Sequence, residues 1–220
     1  SGIYDIDEFF DVLRDEPLDH WYEIGNVIAV VNAGLEETLS DQAEFLLASE
    51  VADAGSIILS RSQEVPVTKQ DATIEHLNRS LVKLGCRRQI KGDEVLRSPW
   101  NEWTEREFEQ VLNGGYCTES YRKPEYREDQ GFQSLYYMNL QIKKEELKEK
   151  MKEALKDPAC GKLFRIKGFM QDENEKWIEL NATQYEIQMN PVGEGQNVLI
   201  VIGEGLEEDA LAKYFGTPAR

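Results

Sequence analysis

Residues 24–65 read IGNVIAVVNAGLEETLSDQAEFLLASEVADAGSIILSRSQEV, and this stretch decides the fold of the first half of the chain. Two short apolar runs, Val27–Val31 and Ile57–Leu59, enclose a segment whose apolar residues recur at helical spacing. Unbroken runs rich in β-branched residues are typical of strands covered on both faces, as in a parallel sheet. Ser40 stands where the helix N-cap would be. The order strand, helix, strand predicts a βαβ unit.

The ends of the two predicted strands are the first place to look for a ligand site. In open α/β sheets, ligands bind in the crevice outside the carboxyl ends of the strands. Asn32–Gly34 follow the first strand, and Ser60–Gln63 close the second. We therefore expect these two short segments to lie side by side at one edge of the sheet.

Composition excludes several classes of function. The chain has 220 residues, with 42 acidic and 25 basic side chains and a net charge of −17, which argues against unassisted binding to nucleic acid or to an anionic membrane. Three widely separated cysteines do not form a disulfide framework, so a reducing, cytoplasmic location is expected. No apolar run approaches the roughly 20 residues of a membrane span, and no signal peptide is visible. The chain begins at Ser1-Gly2 without an initiator Met, which predicts a fragment of a longer protein.

The sequence pattern changes near the middle of the chain. Residues 116–131 read YCTESYRKPEYREDQG and lack periodicity, which predicts a linker between a domain at 1–115 and a domain at 132–220. Before the linker, Thr104 and Glu107 have the spacing of a capping box. After it, the order β-α-β-β-β-β-α predicts a small α+β domain with helices on a largely antiparallel sheet.

One strand of this second domain presents a basic pair. Alternation along residues 163–170 places Phe164 and Ile166 on one face, and Arg165 and Lys167 on the other. We expect Phe164 and Ile166 to pack under the helices of the domain. Arg165 and Lys167 then lie on the open face, where they are either solvated strand charges or an interface with another domain or a client protein.

Motifs that would carry chemistry are missing from this sequence. There is no GxxxxGK[ST] loop for phosphates, no GxSxG elbow for a serine nucleophile and no CxxC pair for zinc. The two histidines are isolated, and the short Gly-Glu-Gly segments fit turns better than phosphate loops. We therefore assign no catalytic residue, no metal ligand and no cofactor to this chain.

Several segments, taken in order, resemble the CobW-type P-loop GTPases, a family of nucleotide-dependent proteins of metal trafficking and cobalamin biosynthesis. Ser1-Gly2-Ile3 resembles the end of that family's Glu-x-Ser/Thr-Gly segment. The stretches IAVVNAG and ADAGSIILSRSQEV resemble its V-V-D-A strand and the A-D-x-I-x-L-N-K-x-D segment that reads the guanine base. KLFRIKGFM and NVLIVIGEGLEEDAL resemble the R-x-K-G-F strand and the closing strand and helix of its C-terminal domain. The fold that this implies is part of a P-loop NTPase-type parallel α/β sheet followed by an α+β domain of the CobW C-terminal type.

The resemblance also shows where this sequence departs from the family. The Walker A loop, the Cys-x-Cys-Cys metal motif, most of Walker B and the His-rich stretch are missing. The base-reading motif is degenerate, because Ser60 stands for Asn, Arg61 for Lys and Gln63 for Asp. The resemblance therefore implies GTP, Mg²⁺ and a transition metal (zinc, cobalt or nickel) only for an intact parent, and this chain alone is not expected to hydrolyse nucleotide.

Two interpretations of function remain open at this point. In the first, the chain is the C-terminal part of a CobW-like metallochaperone, whose partners are the missing N-terminal GTPase portion and a metal-requiring client protein. In the second, it is a non-catalytic α/β plus α+β interaction module, whose βαβ unit is purely structural. The sequence upstream of Ser1 would distinguish them, since only the first requires a Walker A loop there.

Overall fold

The predicted βαβ unit is present in the first half of the chain. The computed structural model describes residues 6–121 and 132–219, and the chain divides into two units, Ser1–Glu125 and Tyr126–Arg220. In the first unit, three parallel strands lie in the order β1-β2-β3. The elements of this unit are α1 (Ile6–Arg14), β1 (Ile28–Asn32), α2 (Asp41–Ala52), β2 (Ser56–Ser60), α3 (Val67–Lys83), β3 (Val95–Leu96) and α4 (Glu105–Leu112).

One face of this sheet forms the core of the first unit. Ala29 and Val31 of β1 pair with Ile57 and Leu59 of β2, and all four side chains are buried. They pack with buried residues of α2 and α3, namely Ala48, Val51, Ala52, Ile74, Leu77 and Leu81. Burial of apolar surface on this scale is the main favourable contribution to folding of the unit.

The other face of β1 is uncovered, so the expectation of a strand buried on both faces is wrong for β1. Ile28 is 43% exposed and Val30 is 63% exposed. The physical reason is that no described element covers these two side chains, and β1 is also an edge strand, with which no described strand pairs on its outer side. The apolar run has the composition of a buried strand, but the described residues contain no element that covers the outer face of β1.

The helix boundaries follow local capping chemistry. The Ser40 hydroxyl accepts a hydrogen bond from the Ala43 backbone N–H at 3.1 Å, as predicted for the start of α2. Thr104 and Glu107 form the predicted capping box of α4. By contrast, α3 begins at Val67 directly after Pro66 and has no side-chain cap, and the Pro66 carbonyl accepts hydrogen bonds from the N–H groups of Lys69 and Gln70.

Residues 116–121 belong to the first unit, although they were assigned to the predicted linker. Tyr116 forms an isolated bridge with Ala54, and the Cys117 N–H donates to the Asp53 carbonyl at 2.9 Å. The ring of Tyr121 lies 6.2 Å from that of Phe45. The remainder of the predicted linker, residues 122–131, lies outside the described residues, and the domain boundaries stay predictions.

The second unit is the predicted antiparallel sheet with helices on one face. Five strands lie in the order β4-β8-β5-β6-β7, and every pair is antiparallel. The elements are β4 (Phe132–Met138), α5 (Lys144–Ala154), β5 (Lys162–Gln171), β6 (Trp177–Ala182), β7 (Ile187–Pro191), β8 (Val198–Glu204) and α6 (Glu208–Phe215). The core joins the two helices to one sheet face through Tyr137, Leu147, Met151, Ile166, Leu199, Val201, Leu211 and Phe215.

A β-bulge in β5 corrects the predicted side-chain alternation. The pairing of β5 with β8 shifts between Leu163 and Arg165, so Phe164 is the extra residue. Leu163 and Ile166 are both buried, whereas Phe164 is only partly buried and its ring lies 5.2 Å from that of Phe132. The prediction that Phe164 packs under the helices with Ile166 is therefore wrong, because Leu163 takes that place. Arg165 and Lys167 are exposed, as predicted.

Across the described residues, no helix combines the length and the apolar character needed to span a membrane.

Candidate functional site

The carboxyl ends of β1 and β2 lie side by side, as parallel pairing requires. The Ala33 N–H donates to the Ser60 carbonyl at 2.9 Å, and the Ser60 hydroxyl donates to the Val31 carbonyl at 3.2 Å. The Asn32 side-chain oxygen accepts from the Gly34 N–H at 2.9 Å. The two strand ends therefore form one rim, in which the Ser60 hydroxyl already bonds to its own sheet.

The side chains of Arg61 and Gln63, which follow β2 at this rim, are accessible to solvent. Arg61 has a left-handed backbone with φ 58°, which turns the chain sharply after β2 into a short 3₁₀ turn, Ser62–Glu64. Its guanidinium lies 3.8 Å from the Glu64 carboxylate, and Gln63 is exposed. The structure thus brings Ser60, Arg61 and Gln63 to one strand end but gives them three different environments.

Ser62 is a feature of this rim that sequence reasoning did not single out. Its side chain is 3% exposed, and its hydroxyl has no hydrogen-bond partner in the described part of the chain. The Ser62 carbonyl accepts from Gln70 Nε2 at 2.9 Å, and the Ala33 carbonyl accepts from the Thr73 hydroxyl at 2.8 Å. Gln70 and Thr73 lie at helical spacing from Leu77, on the apolar face of α3. Polar residues at these positions were the signal in the sequence that could have revealed the two hydrogen bonds from α3 to the rim.

The rim offers hydroxyl and amide groups, and its charged groups, Arg61 and Glu64, lie within ion-pair distance of each other. Ser62 and Gln63 provide a hydroxyl and an amide, but no carboxylate takes the place that Gln63 occupies. The sequence has no phosphate-binding loop to complete the site. Where the structure is described, no group of three or more His, Cys, Asp or Glu could hold a metal ion. Ser60, Arg61 and Gln63 themselves provide no carboxylate or imidazole ligand for Mg²⁺ or a transition metal.

Burial favours the thiol form of Cys86 and Cys160. Burial raises the pKa of the Cys160 thiol to about 11, and it also raises the pKa of Cys86. A raised pKa disfavours the thiolate, which is the form that binds metals and acts as a nucleophile. Cys86 and Cys160 are therefore best described as buried core residues of their units.

A buried polar cluster joins α2 to α3. His76 Nε2 lies 2.7 Å from one carboxylate oxygen of Glu44, and the Ser80 hydroxyl donates to the other. His76 is 4% exposed, and the Ser80 hydroxyl contacts the Glu44 carboxylate rather than the imidazole. This arrangement lacks the nucleophile-to-base contact of a catalytic triad, so it acts as a structural link between the two helices.

The predicted basic pair lies on the open face of the second unit's sheet. Arg165 Nε donates to the Asn181 side-chain oxygen at 2.8 Å, across the β5–β6 pair. Lys167 is exposed one alternation further along the strand and sits opposite Asn181. The two cations are therefore neighbours on one surface, well separated in sequence from the rim of the first unit.

Comparison with known proteins connects the second unit to a family. The family model described as the cobalamin synthesis protein cobW C-terminal domain matches residues 138–217. No curated protein matches the chain. The crystal structure of the Zn(II)-bound YjiA GTPase from E. coli is 17% identical with a TM-score of 0.34, over 97% of this chain and 67% of that one. The structure of a Zn(II)-bound triple mutant of that GTPase is 18% identical with a TM-score of 0.35, over the same shares.

Proposed function

We propose that this chain, whose residues 138–217 match the family model of the cobW C-terminal domain, is the C-terminal part of a GTP-binding protein of metal trafficking or cobalamin biosynthesis. The longer protein is called the parent below. The proposal assigns the first unit to the end of the parent's GTP-binding domain. It also accounts for a parallel sheet that has three strands among the described residues.

The exposed edge of β1 is the observation that carries this proposal. Ile28 and Val30 are β-branched residues on the outer face of a parallel strand, and both are exposed. Parallel sheets are normally covered on both faces, and an uncovered apolar edge strand invites association. Further strands and helices of the parent would pair with β1 and bury these two side chains.

Nucleotide chemistry in the parent would come from residues outside this chain. Phosphoryl transfer depends on positioning and charge stabilisation by a phosphate-binding loop, its Lys and Mg²⁺. Within the chain, Ser60, Arg61 and Gln63 occupy the places of the base-reading motif and would contact the nucleotide base. We propose that the 220-residue chain alone neither hydrolyses GTP nor binds it with micromolar affinity, and that a transition metal (zinc, cobalt or nickel) is handled by the missing portion.

The partners in this proposal are two proteins. One is the N-terminal GTPase portion, which would sit against β1. The other is a metal-requiring client protein in the cytoplasm. Neither nucleic acid nor a membrane is proposed as a partner, since the chain carries a net charge of −17.

Hydrogen exchange tests the role of the β1 edge. The carbonyls of Val27 and Val31 accept hydrogen bonds from the β2 side, and alternation then turns the amides of Val30 and Asn32 toward the free edge. We expect these two amides to exchange quickly in the 220-residue chain and slowly in the parent, because only the parent supplies a partner strand. The amide of Ile58 in β2 is the internal control and should be protected in both proteins.

Calorimetry with GTP and Mg²⁺ completes the test. The chain alone should give no binding isotherm in the micromolar range, and the parent should give one. Equal exchange of the β1 amides in both proteins, or a parent without a Walker A loop, would overturn the proposal and favour the non-catalytic interaction module.

A further inference from the structure

The sheet of the second unit has one face that no described element of that unit covers. Helices α5 and α6 pack on the opposite face, through Leu147, Met151, Leu211 and Phe215. On the uncovered face, β4 and β8 present five apolar side chains that we call the apolar strip: Tyr136, Met138, Val198, Ile200 and Ile202. Tyr136 is 47% exposed and Met138 is 39% exposed, and the three β8 residues are partly exposed.

Strand pairing makes the apolar strip continuous and places a cation beside it. In the register of the sheet, Tyr136 lies opposite Ile200, and Ile200 lies opposite Lys167. One row further along, Met138 lies opposite Val198. Side chains directly opposite on one face of an antiparallel pair lie within contact distance of one another. Lys167 therefore borders the strip along β5.

The bulge in β5 brings the second cation to the same border. Because Phe164 is an extra residue, both Phe164 and Arg165 turn to the uncovered face, and Arg165 pairs with Ile202 of the strip. Neither Arg165 nor Lys167 has a carboxylate within ion-pair distance in the described residues, and Arg165 bonds only to the amide of Asn181. In a chain with 42 acidic and 25 basic residues, Arg165 and Lys167 are thus two cations on one apolar face whose charge no described carboxylate neutralises in an ion pair.

The geometry points to a docking surface, and we propose that this face binds an acidic segment of a protein partner. Apolar side chains of the segment would pack on the apolar strip, and its carboxylates would lie against Arg165 and Lys167. This combination of an apolar centre and charged groups at its border is the usual anatomy of a protein interface. The inference goes beyond the proposed function, because it concerns neither the nucleotide nor the β1 edge.

Charge and strand pairing favour this occupant over the alternatives. Glu204 and Glu179 flank the uncovered face at either side of the cations. A phosphate backbone carries a charge at every nucleotide and would meet these carboxylates as well as the cations, whereas a protein segment can place its carboxylates at Arg165 and Lys167 alone. Addition of a strand at the nearby edge is also hindered, because the Ala219 N–H already donates to the Tyr136 carbonyl of β4 at 2.6 Å. The face rather than the edge is the surface available to a partner.

A binding assay with a defined peptide tests the proposal. The probe is a fluorescein-labelled synthetic peptide in which glutamate alternates with leucine, and the control probe carries lysine in place of glutamate. Fluorescence anisotropy is measured with the 220-residue chain in the absence of nucleotide, so the result does not depend on the proposed function. We expect the acidic peptide to bind at least about tenfold more tightly than the basic one, with an affinity that falls as salt rises.

Matched variants locate the binding surface. Reversing Arg165 and Lys167 together to Glu should weaken acidic-peptide binding by about tenfold or more. Reversing Lys148 and Lys156 to Glu makes the same charge change on exposed positions of and just beyond α5, and should leave binding within about twofold. An Ile200→Asn substitution tests the apolar strip independently of charge and should also weaken binding.

Four outcomes would overturn the proposal. They are no measurable binding of the acidic peptide, equal loss in both charge-reversed variants, tighter binding of a single-stranded uridine oligonucleotide than of the peptide, and self-association of the chain that the Arg165→Glu, Lys167→Glu variant abolishes. The third would assign the face to nucleic acid, and the fourth to a second copy of this chain. Circular dichroism of each variant checks that its fold is intact.

Discussion

Arg88 fastens the segment after α3 to the end of α2. Its Nη1 atom lies 2.8 Å from the Val51 carbonyl, 2.8 Å from the Ala52 carbonyl and 2.6 Å from the Ala54 carbonyl. The last carbonyls of a helix have no partner within the helix, and a cation there also interacts favourably with the helix dipole. One guanidinium therefore satisfies three acceptors that the first unit would otherwise leave next to its core.

The cost of removing this contact follows from the number and type of bonds. A hydrogen bond to a charged group contributes about 1.5–3 kcal/mol, and one nitrogen shared among three acceptors gives less than three times that value. We expect Arg88→Met, which keeps most of the apolar stem, to lower the free energy of unfolding of the first unit by about 2–4 kcal/mol. Arg87→Met is the matched control, because Arg87 is adjacent and exposed, and its effect should stay within about 0.5 kcal/mol.

Urea unfolding followed by tryptophan fluorescence measures this difference. Three of the four tryptophans lie in the first unit, so a Trp177→Phe background restricts the signal to that unit. The midpoint should fall for Arg88→Met, with little change in the slope of the transition, because the exposed surface is nearly the same. Equal midpoints for the Arg88 and Arg87 variants would show that the three carbonyls do not depend on the guanidinium, and the reasoning would fail.

Three further predictions concern other parts of the chain. Burial raises the pKa of Glu50 to about 7, above its ordinary value of 4.5, so the free energy of unfolding should fall as pH rises between those values. At about pH 8, Glu50→Gln should be about 1–3 kcal/mol more stable than the unsubstituted chain, and at about pH 5 the two should be equally stable, as measured by chemical unfolding at both pH values. Leu163→Ala should destabilise the second unit by about 2–4 kcal/mol and Phe164→Ala by clearly less, and the reverse order in chemical unfolding would mean that the bulge is misplaced. In the parent, the double variant Ser60→Asn, Gln63→Asp should increase the preference for GTP over ATP by about one to two orders of magnitude, because a carboxylate accepts two hydrogen bonds from the guanine edge. Competition binding measures this preference, and an unchanged preference would show that these positions do not read the base.

Features that depend on near neighbours in sequence were predictable. The helices and strands follow from apolar periodicity, and the caps at Ser40 and Thr104 follow from side chains that bond to backbone groups three residues away. The order of strands and helices in the second unit was also predicted, since antiparallel strands alternate visibly between apolar and polar residues. These signals are local, and so they can be recognised in the sequence without knowledge of the tertiary structure.

Features that depend on distant neighbours were not predictable. The exposure of Val30 cannot be read from β1, because the same apolar run suits a strand that is covered on both faces and a strand that is covered on one. The burial of Ser62 depends on α3, which supplies Gln70 from eight residues away. The two strand ends were therefore correctly predicted to lie side by side, while the environment of each side chain there had to come from the structure.

The bulge at Phe164 shows how a single residue connects the core to the surface of the second unit. Strict alternation from Leu163 would turn Arg165 toward the core and Ile166 toward solvent, because side chains change face at every residue. The extra residue resets the alternation, so that Leu163 and Ile166 both reach the core. The same shift places Arg165 on the uncovered face beside Lys167. Burial of Leu163 and Ile166 thus fixes the strand register that places Arg165 on the proposed docking surface. Both the stability of the unit and its proposed interaction surface therefore depend on the bulge in β5.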